Sequence, residues 1–208
     1  MIQNVLIPPE LRTLIGTEPR DFVIKARRAQ PLKGPIILII FGIVWLLFTS
    51  VFFVAFLGPL FMGEDVSMLV NDQPVVAGPD NPGPLIMPAI IIGIFTLVGI
   101  GLLWFGIHLV TKEGGYFAAT PTRLISYRKG SATSIDWEQF SGHIEIHGTA
   151  GKGDITLQLR TGRMVSSKNG PDRYVPDAVY IAGIQDVYEV EKICRQRIKE
   201  NDPTPALA

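Results

Sequence analysis

Two long apolar runs in the first half of the chain restrict what it can fold into. The first extends from Pro35 to Gly63 and the second from Pro84 to Ile107, and neither contains a charged residue. Each run exceeds the roughly 20 residues with which a helix crosses a hydrocarbon core of about 30 Å. A helix in lipid satisfies its own backbone hydrogen bonds, whereas a chain of 208 residues has no soluble core large enough to bury two such helices. The sequence therefore predicts an integral membrane protein with two spans.

The charges around the two runs predict their orientation. Five basic residues flank the runs: Lys25, Arg27, Arg28 and Lys33 before the first, and Lys112 after the second. The intervening loop, residues 64–84, contains acidic residues and no basic one. Basic flanks stay on the cytoplasmic side, so we expect both termini in the cytoplasm and the loop outside. The same five residues are candidate contacts for anionic lipid headgroups, although a topology signal with no further role is the favoured explanation.

The composition of the runs excludes one class of function. Neither contains Asp, Glu, Lys, Arg, Asn or Gln, and ion paths and proton relays need such groups at membrane depth. A self-sufficient transporter or channel is therefore not expected. The second run contains four glycines, at Gly93, Gly99, Gly101 and Gly106. Small residues let helices approach closely in lipid, so we expect these glycines to let the two spans pack together.

Six segments follow from these patterns. They are a cytoplasmic N-terminal segment (1–34), a first span (35–63), an external loop (64–84), a second span (85–110), a soluble domain (112–200) and a tail (201–208). In the first segment, Leu11, Leu14 and Ile15 form a short amphipathic stretch that is expected at the membrane surface. The turn residues of the loop, which include Asn71 and Asp72, predict an irregular cap.

The soluble domain has the pattern of an α+β fold. Short apolar and β-branched segments alternate with turn signals. The candidate strands are 116–120, 123–127, 133–137, 143–147, 155–160, 163–166 and 178–182. From residue 185 to 200 the apolar period becomes helical, with a stripe formed by Val187, Val190, Ile193, Cys194 and Ile198. The fold class expected for the whole chain is a membrane α-helical hairpin followed by an α+β domain.

Four segments in this order resemble the bacterial pleckstrin-homology-like (PH-like) domains. They are 116–125 (YFAATPTRLI), 134–137 (SIDW), 151–157 (GKGDITL) and 181–184 (IAGI). The resemblance implies a PH-like split β-barrel of about seven strands capped by the C-terminal helix, and a location in a bacterial cytoplasmic membrane. In these segments we expect Thr120 to bond the local backbone at a turn, and Gly151 and Gly153 to allow positive φ in a hairpin loop. The resemblance thus implies a scaffold and not a reaction.

No residue pattern indicates catalysis. His143 and His147 point the same way on a strand but stand about 13 Å apart, too far to share one metal ion. The glycine-rich run 148–153 lacks the Gly-Lys-Ser or Gly-Lys-Thr ending of a phosphate loop, and it joins two predicted strands instead of a strand and a helix. We therefore expect no enzyme activity, no cofactor and no metal site. Basic and acidic residues nearly balance after Lys112, so nucleic acid is not an expected partner.

Two functions remain open from the sequence. The first is a non-enzymatic, membrane-anchored PH-like scaffold that contacts membrane lipids, a protein partner or further copies of itself. A possible partner surface is the basic hairpin formed by Arg123, Arg128 and Lys129. The second is an accessory subunit of a larger membrane complex, such as an energy-transducing enzyme. Stable stoichiometric partners after gentle detergent extraction would favour the second function.

Overall fold

The structure is a computed structural model that describes residues 6–70, 73–149, 151–166 and 170–203. The chain divides into two compact units. One contains residues 1–31 together with 111–208, and we call it the sheet domain. The other contains residues 32–110, and we call it the apolar hairpin.

Both units contain helices and strands, numbered in chain order. The first half of the chain forms α1 (Pro9–Ile15), β1 (Phe22–Lys25), α2 (Lys33–Met62), β2 (Val66–Val70), β3 (Gln73–Ala77) and α3 (Ile86–Thr111). The second half forms β4 (Tyr116–Ala119), β5 (Arg123–Arg128), β6 (Ser131–Asp136), β7 (Phe140–Thr149), β8 (Lys152–Val165), β9 (Arg173–Ile184) and α4 (Val187–Glu200).

The segment before the first apolar helix belongs to the sheet domain. Strand β1 pairs antiparallel with β4, from Phe22 opposite Ala119 to Lys25 opposite Tyr116. Helix α1 buries Leu11 and Ile15 against β4 and β5, so these two residues of the predicted amphipathic stretch pack on protein, whereas Leu14 is exposed. The apolar hairpin is therefore an insertion between two neighbouring strands of one sheet.

The sheet domain contains two antiparallel sheets. One has the strand order β1-β4-β5-β6 and the other β7-β8-β9. The predicted α+β class is confirmed, whereas a closed barrel is not shown because both sheets are open. The predicted strands 155–160 and 163–166 are a single strand, β8, whose pairing with β9 shifts register between Gln158 and Gly162. A β-bulge of this kind lets one strand continue through a local bend.

The core of this domain lies between the sheets and α4. Trp137 and Phe140 are fully buried there, and the indole N–H of Trp137 donates to the carbonyl oxygen of Thr120 at 2.7 Å. The predicted apolar stripe of α4 is confirmed: Val187, Val190, Cys194 and Ile198 are buried, and Ile193 packs against them. Each fully buried aliphatic side chain contributes about 1.5–3 kcal/mol relative to an exposed one. Helix α4 is thus held by its apolar face.

Helices α2 and α3 are each long and apolar enough to cross a membrane. They pack through small residues, as predicted for two of the four glycines. A Cβ at Gly99 would lie 2.5 Å from Leu46 Cδ2, and one at Gly106 would lie 2.7 Å from Ile39 Cγ1. Gly93 and Gly101 instead face open space. The indole N–H of Trp45 donates to the carbonyl oxygen of Phe95 at 2.9 Å, which adds a polar link between the helices.

The loop between these helices is more regular than the sequence predicted. Strands β2 and β3 form an antiparallel ribbon in which Val66 pairs with Ala77 and Leu69 with Pro74. The sequence did not indicate this ribbon, because its strands are short, contain a proline and polar residues, and lie among residues that favour turns. The predicted turn at Asn71 and Asp72 lies outside the described residues.

Candidate functional site

Basic side chains collect at one end of the four-stranded sheet. Strands β1 and β5 run in the same direction, since each pairs antiparallel with β4. Lys25 and Arg27 at the end of the first strand therefore lie at the same end of the sheet as Arg128 and Lys129. Lys112, just before β4, joins them. We call Lys25, Arg27, Lys112, Arg128 and Lys129 the basic end.

The basic end is where the chain leaves the sheet domain and returns to it. The backbone N–H of Ala29 donates to the carbonyl oxygen of Lys112 at 3.0 Å. The backbones of Arg28 and Glu113 also form an isolated antiparallel β-bridge. The two connections to the apolar hairpin are thus held side by side by main-chain hydrogen bonds.

Most of the basic end is free of ion pairs. Lys25, Arg27, Lys112 and Lys129 are exposed, and Arg128 is half-buried. Within the described part of the chain, none of the five forms a salt bridge; Lys25 lies over the ring of Tyr116, 5.5 Å from its centroid. Lys33, the remaining residue of the predicted lipid contact, is exposed at the first residue of α2 in the other unit.

Arg28, in contrast, is bound within the fold. Its Nη2 donates to Asp154 Oδ1 at 3.0 Å, and the backbone N–H of Gly183 donates to the same oxygen at 2.7 Å. The Arg28 backbone N–H also donates to the carbonyl oxygen of Ala182, which links β9 to the segment that follows β1. Asp154 has 10% and Arg28 28% of its side chain exposed, so the carboxylate is the better shielded of the two groups. Arg28 therefore fastens the two sheets at one corner.

A cleft of about 400 Å³ lies beside this pair. It is lined by the paired ends of β7 and β8, by the end of β9 with the residue that follows it, and by Arg27 and Arg28. The basic residues His147 and Lys152 contribute to it, and Asp154 is the acidic residue on its wall. We call it the corner cleft.

A second cleft, of about 260 Å³, opens between the inner face of the four-stranded sheet and β9. Phe117 and Ile135 give it an apolar floor, and Arg128 and Tyr180 lie at its rim. At this cleft β9 borders the inner face of the first sheet, and the two sheets share no strand pairing among the named strands. Arg128 is half-buried because it lines this opening.

Arg123 lies apart from the other two residues of the predicted partner surface. It is at the opposite end of β5 from Arg128, about 16 Å away at the rise of a strand. There its guanidinium forms an ion pair with Glu18 and donates to the carbonyl oxygen of Leu14 at 3.4 Å. The structure therefore does not bring Arg123, Arg128 and Lys129 together. Only Arg128 and Lys129 share the turn between β5 and β6.

The environment of Glu18 affects its titration. Hydrogen bonds from Thr120 and from Arg123 hold the pKa of this carboxyl below its usual value. Ionised Glu18 is therefore stabilised by the fold, and it ties the segment before β1 to the turn between β4 and β5.

The two histidines lie on β7 with Glu145 between them. His143 Nε2 is 3.1 Å from Glu145 Oε1, and His147 Nε2 is 3.8 Å from Glu145 Oε2. All three side chains are exposed. Across the described residues, no group of three or more His, Cys, Asp or Glu is arranged to hold a metal ion.

The residues expected to be structural behave mainly as predicted. Thr120 Oγ1 donates to the carbonyl oxygen of Arg123 at 3.1 Å, which confirms its role at the turn. Gly151 has a φ of 78°, also as predicted. Gly153 does not adopt positive φ; it is required because a Cβ there would lie 2.4 Å from the carbonyl oxygen of His147. Burial raises the pKa of the Cys194 thiol to about 12, so this cysteine is an unreactive packing residue.

Comparisons with protein-family models, curated proteins and solved structures find no match to this chain. The resemblance to bacterial PH-like domains therefore stays a prediction from the four sequence segments.

Sequence reasoning missed Asp154 and Lys152 as parts of a site. Both lie in the segment 151–157, whose pattern indicated only a hairpin. The sequence does contain Lys152, Gly153 and Asp154 in a row near a predicted turn. This short pattern indicates a site only once the structure shows that Arg27 and Arg28 line the same cleft.

Proposed function

We propose that the protein is a non-enzymatic, membrane-anchored interaction protein whose sheet domain contacts an anionic membrane surface through the basic end. In this proposal α2 and α3 cross the bacterial cytoplasmic membrane, and the sheet domain is a PH-like split barrel on the cytoplasmic side. The observation that carries the proposal is the basic end itself. Its unpaired cations lie where the chain passes into and out of two helices apolar enough to span a bilayer.

The pairing of β1 with β4 supports the arrangement. Because these strands are hydrogen-bonded neighbours, residues 22–25 and 116–119 must lie on the same side of a membrane. A hairpin that crosses twice meets this condition, and it brings both basic flanks to that side. Each basic residue near an anionic surface gains about 1 kcal/mol. Two helices already fix the chain in the bilayer, so the gain orients the sheet domain and is not needed to recruit it.

Hydrogen exchange of the full-length protein in lipid nanodiscs tests the proposal. We expect slower exchange in the turn 128–131 when phosphatidylglycerol replaces part of the phosphatidylcholine. The difference should shrink at high salt, because salt screens contacts of this kind. The double variant Arg128→Gln/Lys129→Gln should lose it.

The matched control removes the same charge from a different surface. Lys192→Gln/Lys199→Gln alters two exposed lysines of α4 and should leave the lipid-dependent difference intact. Equal exchange in both lipid compositions would contradict the proposal. Partner chains recovered at a fixed ratio in mild detergent, with no lipid dependence, would support the accessory-subunit alternative.

A further inference from the structure

We infer that the corner cleft is a binding site for a phosphate group, carried either by a small phosphomonoester or by a phospholipid headgroup. The free-phosphate form of this inference is independent of the proposed function, whereas the headgroup form rests on it.

Besides Arg28, three basic side chains line the cleft, one from the N-terminal segment and two from the β7–β8 hairpin. Arg27 follows β1, His147 lies near the end of β7, and Lys152 begins β8. Their convergence is produced by the fold, since no local sequence pattern groups them. Arginine and lysine are the side chains that bind phosphate most strongly, through charge-assisted hydrogen bonds.

The acidic residue in the cleft does not cancel this charge. Asp154 is already neutralised by Arg28, whose Nη2 lies 3.0 Å from Asp154 Oδ1. Its Oδ1 also accepts the N–H of Gly183. Arg27 and Lys152 therefore remain as positive charges without an ion-pair partner among the described residues. An anion in the cleft would be attracted by these two positive charges. It would not be repelled by an unpaired Asp154 carboxylate, because that carboxylate is already bound by Arg28.

Three glycines contribute to the wall of the cleft. Gly148 and Gly153 are cross-strand neighbours, and a Cβ on the first would lie 2.2 Å from the carbonyl oxygen of Lys152. Gly183, with a φ of 70°, forms another part of the wall. Glycine is needed at these positions because the backbones of the two strands approach closely and because residue 183 has a left-handed backbone conformation. The volume of about 400 Å³ is within the range of ligand pockets in proteins.

The geometry differs from a phosphate-binding loop at a helix start. The lining strands belong to a β-hairpin, and recognition would come from side chains of three segments. Residues of the glycine-rich run 148–153 can therefore border an anion site although the run lacks the sequence of a phosphate-binding loop.

Calorimetric titration with sn-glycerol 3-phosphate tests the inference on the full-length protein in phosphatidylcholine nanodiscs. We expect saturable binding that weakens at least about tenfold in Lys152→Gln, because a charge-assisted hydrogen bond is lost. Lys152→Arg should retain most of the affinity, which separates loss of charge from loss of fold. Lys192→Gln removes the same charge from an exposed site on α4 and should bind like the parent protein.

A second arm distinguishes the two sources of phosphate. Phosphatidic acid carries the same phosphomonoester as the soluble probe. If it raises the apparent Kd of glycerol 3-phosphate when included in the nanodiscs, the headgroup occupies the cleft; if it does not, the ligand is a free phosphomonoester. The inference is overturned if no saturable binding occurs in the millimolar range. It is equally overturned if Lys152→Gln and Lys192→Gln weaken binding to the same extent, since that result indicates counterion attraction only.

The outcome is separable from that of the proposed function. Arg128 and Lys129 do not line the corner cleft, so Arg128→Gln/Lys129→Gln should leave glycerol 3-phosphate binding unchanged. A lipid-dependent exchange difference without phosphate binding would leave the proposed function intact and remove only the corner site.

Discussion

The two ends of the four-stranded sheet use arginine and lysine in different ways. At one end Arg123 pairs with Glu18, and Arg197 of α4 holds Asp21 through two hydrogen bonds of 2.8 and 2.6 Å. At the basic end, Arg27, Lys112 and Lys129 form no ion pair with any described residue. Paired charges at the first end join the N-terminal segment to the rest of the domain. The unpaired charges of the basic end do not contribute ion pairs to that joining, so they are available for the lipid contact proposed above.

Substitution of a buried residue in β1 should destabilise the sheet domain at both ends of the four-stranded sheet. Ile24 is buried in the main core, between the residues that lead to the two ends. We expect Ile24→Ala to lower the free energy of unfolding of the sheet domain by about 2–5 kcal/mol, measured by denaturant titration in detergent. Lys25→Ala, at the next and exposed position, should change it by less than about 0.5 kcal/mol. Similar effects of the two variants would contradict the placement of β1 in the core.

The Asp21–Arg197 pair is the next largest contribution. It is bidentate and only partly exposed, with 17% and 23% of the two side chains accessible. Asp21→Asn and Arg197→Gln should each cost about 1–3 kcal/mol. Their double variant should show a coupling energy in a mutant cycle, because the two residues contact each other directly. Strictly additive losses would show that the pair does not link α4 to the N-terminal segment.

The pH dependence of stability should distinguish the paired end. The pKa of Glu18 is lowered by its hydrogen bonds to Thr120 and Arg123. Its contribution is therefore complete above the unfolded-state pKa, about 4.3 for glutamate, and it is lost as pH falls through the lower folded-state pKa. We expect Glu18→Gln to be less stable than the parent at pH 6 and to lose less stability on acidification. Parallel pH profiles for the two proteins would exclude this role.

The smallest effect is expected at the basic end in the absence of lipid. Arg128→Gln/Lys129→Gln should change the free energy of unfolding in a neutral detergent by less than about 0.5 kcal/mol. Arg123→Gln, which removes a paired charge from the other end of the same strand, should cost more. A larger loss of stability in Arg128→Gln/Lys129→Gln than in Arg123→Gln would contradict the conclusion that the paired end contributes more to stability.

Local patterns predicted the elements whose signals are contained in continuous sequence. The apolar runs correspond to α2 and α3, and the stripe ending at Ile198 corresponds to the buried face of α4. Each signal is a periodicity or a composition within one segment, which requires no knowledge of distant partners.

Features that depend on distant pairing were not predictable in this way. Strand β1 has only four residues, and its partner β4 follows the whole hairpin in sequence. The corner cleft likewise needs Arg27 and Lys152 to meet across the fold. Arg123 was grouped with Arg128 because they share a short segment, although opposite ends of a strand are far apart. The structure thus separates Arg123 from Arg128 and Lys129, because these residues lie at opposite ends of β5.

The insertion of the hairpin between β1 and β4 also sets an order for synthesis. When β1 leaves the ribosome, the strand that it will pair with has not yet been made, and both apolar helices must be translated first. During that interval β1 has unpaired backbone groups of the kind that invite mispairing, and its short length and the charged residues beside it limit this hazard. The sheet domain can close only after the second helix is complete. Assembly of the four-stranded sheet therefore requires that the whole hairpin has already been synthesised.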